Sequence, residues 1–164
     1  MRILLTLLGI VAIIVYALLG ATLMNDWAVV AVSEMPLETT IADMHAAGQN
    51  YSTIPGFVFA ALGLLLGLLW GVTTLFRRTT LPNWAAVSLW AGIITLGAPA
   101  YFFMSFSNLN SVGDTYFDWN SEAAFALVAP LYIASGLAFL VVVALVMVTV
   151  AIKATARKRA LPVT

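Results

Sequence analysis

The chain has 164 residues, of which 63% are hydrophobic and only 9% are charged, whereas a typical soluble domain carries about 25% charged residues. Its formal net charge is zero, and the absence of cysteine excludes a disulfide framework, a thiolate metal site and a thiol nucleophile. Apolar content this high, with so little charge to solvate it, predicts an all-α membrane protein with a lipid-facing surface. We expect one membrane domain that covers residues 1–164.

Four apolar segments are predicted to cross a membrane as a four-helix bundle, at about 3–22, 55–76, 84–104 and 123–152. A helix needs about 20 apolar residues to cross a hydrocarbon core of about 30 Å, and the first three segments have this length. The fourth is longer, so it is expected to tilt, bend near Pro130 or protrude. A signal peptide is the alternative for the first segment, but its apolar run is longer than usual, and we expect a retained helix.

Charged residues are segregated between the connecting segments. The basic residues lie at the N-terminus, in the 77–83 loop and in the 153–164 tail: Arg2, Arg77, Arg78, Lys153, Arg157, Lys158 and Arg159. The acidic residues lie in the 23–54 and 105–122 loops: Asp26, Glu34, Glu38, Asp43, Asp114, Asp118 and Glu122. Because cytoplasmic flanks collect Lys and Arg, both termini are predicted to be cytoplasmic, with a long first and a shorter second outer loop. The basic clusters could also contact anionic lipid, although topology alone explains them.

The first outer loop is too long to be a simple turn. Its valine-rich stretch 26–33 predicts a strand or a segment that skims the membrane. The stretch 36–48 predicts a short helix, with proline near its first turn and glycine after its last. In the polar second loop, Asp118 or Asn120 is expected to cap the fourth helix.

None of the four spans contains Asp, Glu, Lys, Arg or His, so proton relays, voltage sensors and haem ligation within the membrane are not predicted. The only histidine, His45, is a candidate ligand or base together with the acidic residues near it: Asp43, Glu38 and Glu34. A second candidate, for calcium, is the set Asp114, Asp118, Asn120 and Glu122, whose spacing does not match an EF-hand loop. We therefore predict no catalytic residue, no cofactor and no metal. Bound lipids are compatible with the sequence.

The second span contains glycines at every fourth position, Gly63, Gly67 and Gly71, and the third offers Ser88 and Gly92 at the same spacing. Leucine surfaces are no more attracted to each other than to lipid chains, so membrane helices associate where small residues let backbones approach. These five residues are the predicted helix-packing interface. Because the 77–83 loop is short, we expect the glycine strip to pack against the third span, with a helix of another protein as the alternative.

The layout of two cytoplasmic termini, a long first outer loop and a shorter second one resembles that of claudin-like four-span proteins. The tryptophan and paired-cysteine signature of that family is missing from the first loop, where Trp27 stands without any cysteine. Membership in that family is therefore not predicted.

The sequence predicts a non-catalytic accessory or structural subunit of a larger complex in the bacterial inner membrane, of respiratory, photosynthetic or transport type. Its expected partners are other integral membrane subunits and membrane lipids, and not nucleic acid. One alternative is a self-associating pore or transporter component with a path of hydroxyl groups from Thr73, Thr74, Ser88 and Thr95. Another is a membrane enzyme or sensor with a site in the acidic outer loops. The main prediction expects packing surfaces and no substrate-holding cavity between the helices.

Overall fold

The computed structural model describes residues 2–77 and 79–160, with side chains described up to residue 156. This part of the chain contains five helices and no strand: α1 (Arg2–Ser33), α2 (Leu37–Ala46), α3 (Ile54–Phe76), α4 (Asn83–Thr115) and α5 (Ser121–Ala160). A π-helical turn, Leu23–Trp27, interrupts the regular hydrogen bonding of α1. Among the residues of the predicted basic clusters, Arg78 and the side chains of Arg157, Lys158 and Arg159 lie outside the described part.

Four of the helices, α1, α3, α4 and α5, are long and apolar enough to cross a membrane. Helix α4 has 33 residues. At about 1.5 Å per residue it is about 50 Å long, well beyond a hydrocarbon core of about 30 Å. The helices of the first and third predicted spans therefore continue beyond residues 22 and 104, and the expected outer loops are largely helical. Polar residues did not end these helices, because a protruding helix can expose them to water.

The stretch 26–33 is helical and continues α1, so the predicted strand is wrong. Ala28, Val29 and Val32 are buried, and this spacing places them on one face of a helix. The predicted helix in 36–48 is present as α2, which buries Thr40 and Met44. Valine is common in strands because it packs well on a pleated surface, but here tertiary packing decides its conformation.

The closest helix pair is α1 and α3, which run antiparallel with glycine at the contact. A methyl group on Gly63 would overlap the side chain of Ala17, and one on Gly67 would lie 3.4 Å from Ile13. A methyl group on Gly71 would likewise collide with Ile10. The predicted pairing of this strip with the third span is therefore wrong, since the strip faces α1. The long first loop lets α3 run back alongside α1, so the glycine strip makes a contact within the chain.

Helix α4 packs on this pair through indole rings and on α5 through a buried hydroxyl. Trp70 donates a hydrogen bond to the carbonyl of Ala86 at 2.9 Å, and Trp90 donates to the carbonyl of Gly9 at 3.2 Å. Ser135 donates to the carbonyl of Ile94 at 2.9 Å. Such bonds satisfy polar groups that have no water partner in lipid and fix the helices in register.

Helix α5 leaves the bundle along its second half. Pro130 lies inside this continuous helix. Ala138 is the last buried residue of α5, and none of residues 139–156 is buried. The other three long helices bury residues near both ends. We call residues 139–156 the free segment, because none of them is buried, although Val142 still packs on the core that contains Ala91 and Ala138.

The two ends of the bundle carry opposite charge. The described basic side chains lie where α1 begins and where α3 and α5 end, which we call the basic end. They are Arg2, Arg77 and Lys153. Arg2 donates to the carbonyl of Leu81 at 3.0 Å and so ties the start of α1 to the loop between α3 and α4. All seven acidic residues lie at the opposite, acidic end.

We expect Gly63→Ala to lower the stability of the chain by about 1–3 kcal/mol, because the new methyl group overlaps Ala17 and forces α1 away from α3. The matched control is Gly136→Ala in α5, where a methyl group would meet no atom within 4 Å. This control should be neutral or slightly stabilising, since alanine favours helix over glycine. Thermal unfolding of both variants in mild detergent measures the difference. Equal melting temperatures would show that α1 and α3 are not closely packed.

Candidate functional site

The acidic end is built as a helical cap with its own small core. The protruding ends of α1 and α4, the start of α5 and the short helix α2 meet there. Their buried apolar side chains are Val29, Val32, Met44, Val112 and Ala124. Because this core is continuous with the spanning helices, the cap holds the ends of α1, α4 and α5 in fixed relative positions.

Asn108 of α4 is the central polar residue beneath the cap. Its side-chain NH₂ donates to the carbonyl of Ser52 at 2.8 Å and to that of Met24 at 3.3 Å. Its side-chain oxygen accepts from the backbone N–H of Ser52 at 3.0 Å. One buried amide thus joins α1, α4 and the segment before α3. Buried polar groups need such partners, so Asn108 fixes the geometry of this region.

Sequence analysis did not identify Asn108, because it placed the residue in a polar outer loop. A helical signal was present in the spacing of Tyr101, Ser105, Asn108 and Val112, which all prove to be buried. Their separations of three and four residues place them on one helix face. The polar residues between them, Ser107, Asn110 and Ser111, obscured this periodicity.

Two carboxylates of the cap accept hydrogen bonds from tyrosines. Tyr51 donates to Asp26, and Tyr116 donates to Asp43 at 2.7 Å. Burial is the main cause that raises the pKa of both tyrosines above the ordinary value, and the neighbouring carboxylate raises the pKa further. Both phenols therefore remain neutral hydrogen-bond donors below a pH of about 10. In that pH range, their hydrogen bonds to the carboxylates stabilise the folded chain.

The connection between α4 and α5 is held against the end of α1. The backbone N–H of Asn120 donates to the carbonyl of Val32 at 2.8 Å, and its side chain donates to Glu34 at 2.6 Å. The side-chain oxygen of Asn120 accepts from the N–H of Ala123 at 3.0 Å, so Asn120, one of the two predicted candidates, caps α5. Glu34 ends α1 with a left-handed backbone conformation (φ 56°), which reverses the chain toward α2.

A cavity of about 380 Å³ opens between α4 and α5 below the cap. Six aromatic residues line it: Tyr101, Phe102, Phe106, Trp119, Phe125 and Tyr132. Asn110, Asp114 and Ser121 line it toward the acidic end. The sequence led us to expect packing surfaces and no substrate-holding cavity between the helices, and this cavity was not predicted.

The cavity runs lengthwise between the helices. Tyr101 and Asp114, which both line it, are thirteen residues apart on α4, a rise of about 20 Å. Tyr101, only 1% exposed, keeps its hydroxyl without a hydrogen-bond partner. Trp119 packs over Gly113, where a methyl group would approach the indole ring to 3.3 Å. The slot is therefore apolar along most of its length and polar at one end.

The predicted helix-packing residues do not form one interface. Gly63, Gly67 and Gly71 contact α1, as described above. A methyl group on Gly92 would meet no atom within 4 Å, so the surface of α4 is open at that position. Ser88 donates to the carbonyl of Trp84 at 2.9 Å, one turn back in its own helix.

The hydroxyls proposed for a pore path are likewise dispersed. Thr73 is exposed, whereas its neighbour Thr74 is fully buried against α1. Thr95 donates to the carbonyl of Ala91 at 2.8 Å. Its hydroxyl, like that of Ser88, therefore bonds within its own helix. Within the described chain these four groups do not line a shared surface.

The acidic candidates are also separated. Asp43 faces Tyr116, while His45 is exposed at the end of α2. Asn120, one of the four calcium candidates, is engaged with Glu34 and with the start of α5. Among the residues that the structure describes, no three His, Asp or Glu side chains are close enough together to hold a metal ion.

No family model, curated protein or solved structure matches this chain. Function must therefore be inferred from its own residues and geometry.

We expect Asn108→Ala to destabilise the chain by about 2–4 kcal/mol, because it leaves the buried polar groups of Ser52 and Met24 without partners. Asn110→Ala, two residues along the same helix and exposed, should change stability by less than about 0.5 kcal/mol. Hydrogen exchange of the α2 region, followed together with thermal unfolding, measures both effects. Unchanged protection in Asn108→Ala would show that this amide does not hold the cap.

Proposed function

We propose that the chain is a non-catalytic accessory or structural subunit of a larger complex in the bacterial inner membrane, of respiratory, photosynthetic or transport type. The observation that carries this proposal is the free segment of α5. Over residues 139–156 no side chain is buried, although the segment is apolar up to Lys153. A transmembrane helix of another subunit is its proposed occupant.

Two further features support contact with other subunits rather than chemistry. The predicted spans contain no ionisable residue, which makes proton transfer or ion conduction through this chain alone difficult. Close helix contact in lipid requires small residues, and the open positions at Gly92 and Gly136 provide them on α4 and α5. The Ser135 hydrogen bond to Ile94 places these two glycines at similar depth.

The orientation that goes with this proposal puts the basic end in the cytoplasm and the acidic end outside. Lys and Arg are retained on the cytoplasmic side during insertion, and every basic residue of the chain belongs to the basic end or to the termini. The helical cap would then project from the outer face, where it could support an extracytoplasmic part of the complex.

Single cysteines test this orientation, because the native chain has none. We expect a membrane-impermeant maleimide to label Glu38→Cys, exposed on α2, in spheroplasts that lack the outer membrane. Thr80→Cys, exposed in the loop between α3 and α4, should be labelled only after the inner membrane is permeabilised. The reverse labelling pattern would place the cap in the cytoplasm.

A photoreactive benzoylphenylalanine tests the subunit role in native membranes. At Met147, which is 66% exposed on the free segment, we expect a discrete cross-linked product with a different membrane protein. The control is Leu7, 57% exposed on α1, which should yield mainly lipid adducts because α1 already packs closely on α3. Lipid adducts alone from Met147, or products containing only this chain, would contradict the proposed role.

A further inference from the structure

The cavity between α4 and α5 has the dimensions of a site for one slender ligand. Its volume of about 380 Å³ lies near the lower end of the range of about 300–1,000 Å³ that is typical of small-molecule sites. Its lining follows α4 from Tyr101 to Asp114, a rise of about 20 Å. The cavity is therefore elongated and suits one slender ligand rather than a bulky one.

The walls of the cavity are apolar and aromatic on the side that faces the membrane. Phe102, Phe106 and Phe125 are exposed there, and Phe125 is 71% exposed. The bound part of a ligand at this level must therefore be hydrocarbon or an aromatic ring. A ligand can enter sideways from the lipid, since these exposed rings border the opening.

The polar end of the cavity is anionic. Asp114 and the indole of Trp119 line it, and the remaining six acidic residues of the chain belong to the same end of the bundle. The described Lys and Arg side chains all lie at the basic end. This distribution attracts cations to the mouth of the cavity and repels anions such as a fatty acid or an acidic lipid headgroup.

We propose that this cavity binds one hydrophobic organic cation, an amine or quaternary ammonium attached to an apolar chain or ring. The cationic head lies between Asp114 and Trp119, and the apolar part extends between α4 and α5 toward Tyr132. Aromatic faces attract cations through their quadrupole, and a carboxylate adds direct charge complementarity. A neutral amphiphile of the same length fits the walls but lacks both head interactions. The proposal departs from the sequence-based expectation that no substrate-holding cavity lies between the helices, and it does not require a partner subunit.

Dodecyltrimethylammonium is the probe, and dodecanol and dodecanoate carry the same chain length with neutral and anionic heads. Binding to the full chain is counted by native mass spectrometry over a range of probe concentrations. We expect one saturable site for the cation, with an affinity roughly fivefold or more above that for dodecanol, as an exposed charge contact of about 1 kcal/mol implies. Dodecanoate should bind least.

Two variants locate the site, and one controls for overall charge. Asp114→Asn should remove most of the preference for the cation while dodecanol binding stays unchanged. Trp119→Leu keeps an apolar side chain but removes the aromatic face beside the cationic head, and should weaken cation binding roughly two- to fivefold. Asp118→Asn makes the same charge change on an exposed residue outside the cavity lining and should bind as the parent does. Melting temperatures without probe verify that each variant is folded.

Three results would overturn the proposal. The first is the absence of a saturable site in the folded parent chain. The second is equal affinity for the cation and dodecanol, which would mean that the cavity selects shape alone. The third is an equal loss of cation binding in Asp114→Asn and Asp118→Asn, which would assign the effect to surface charge rather than to the cavity.

Discussion

The close approach of α1 and α3 is the contact on which the rest of the bundle depends. In lipid, apolar side chains gain little by leaving the hydrocarbon, so helix association requires backbone proximity and polar contacts. The glycines at 63, 67 and 71 allow that proximity. Further along the same interface, Asn25 packs against Gly56 and donates to the carbonyl of Thr53 at 3.2 Å. The glycine contact thereby places the π-helical turn of α1 beside the start of α3.

That placement determines how the acidic end is organised. Asn108 reaches both the π-helical turn and Ser52 only because α1 and α3 are already adjacent. With α4 held by this amide and α5 held by Asn120, the two helices meet at the cap and again at Ser135. Between these two points Tyr101 of α4 packs edge-on against Tyr132 of α5, with ring centroids 6.0 Å apart, and both rings line the cavity. The cavity is the space that remains between two fixed contacts.

The basic end is held together by different contacts. Arg2 binds the α3–α4 loop, and indole hydrogen bonds join α4 to the pair formed by α1 and α3. Helix α5 takes no part in these contacts beyond Ala138, where its buried face ends. One half of the molecule therefore has a helical cap above a slot that opens sideways, and the other half presents the free segment of one helix to its surroundings. The proposed ligand site and the proposed subunit contact lie in different halves.

The sequence by itself determined four helices that are long and apolar enough to cross a membrane, the short helix α2, and a cap of α5 at either Asp118 or Asn120. These features depend on composition, local periodicity and local hydrogen bonding. The tertiary structure alone decided which helix the Gly63 strip contacts, since any neighbour can use a small-residue surface. It also decided that the stretch 26–33 and the region around Asn108 are helical. Valine-rich and polar segments are ambiguous locally, and here they become helical by packing against one another. The cavity depends on the spacing between α4 and α5, which no local pattern encodes.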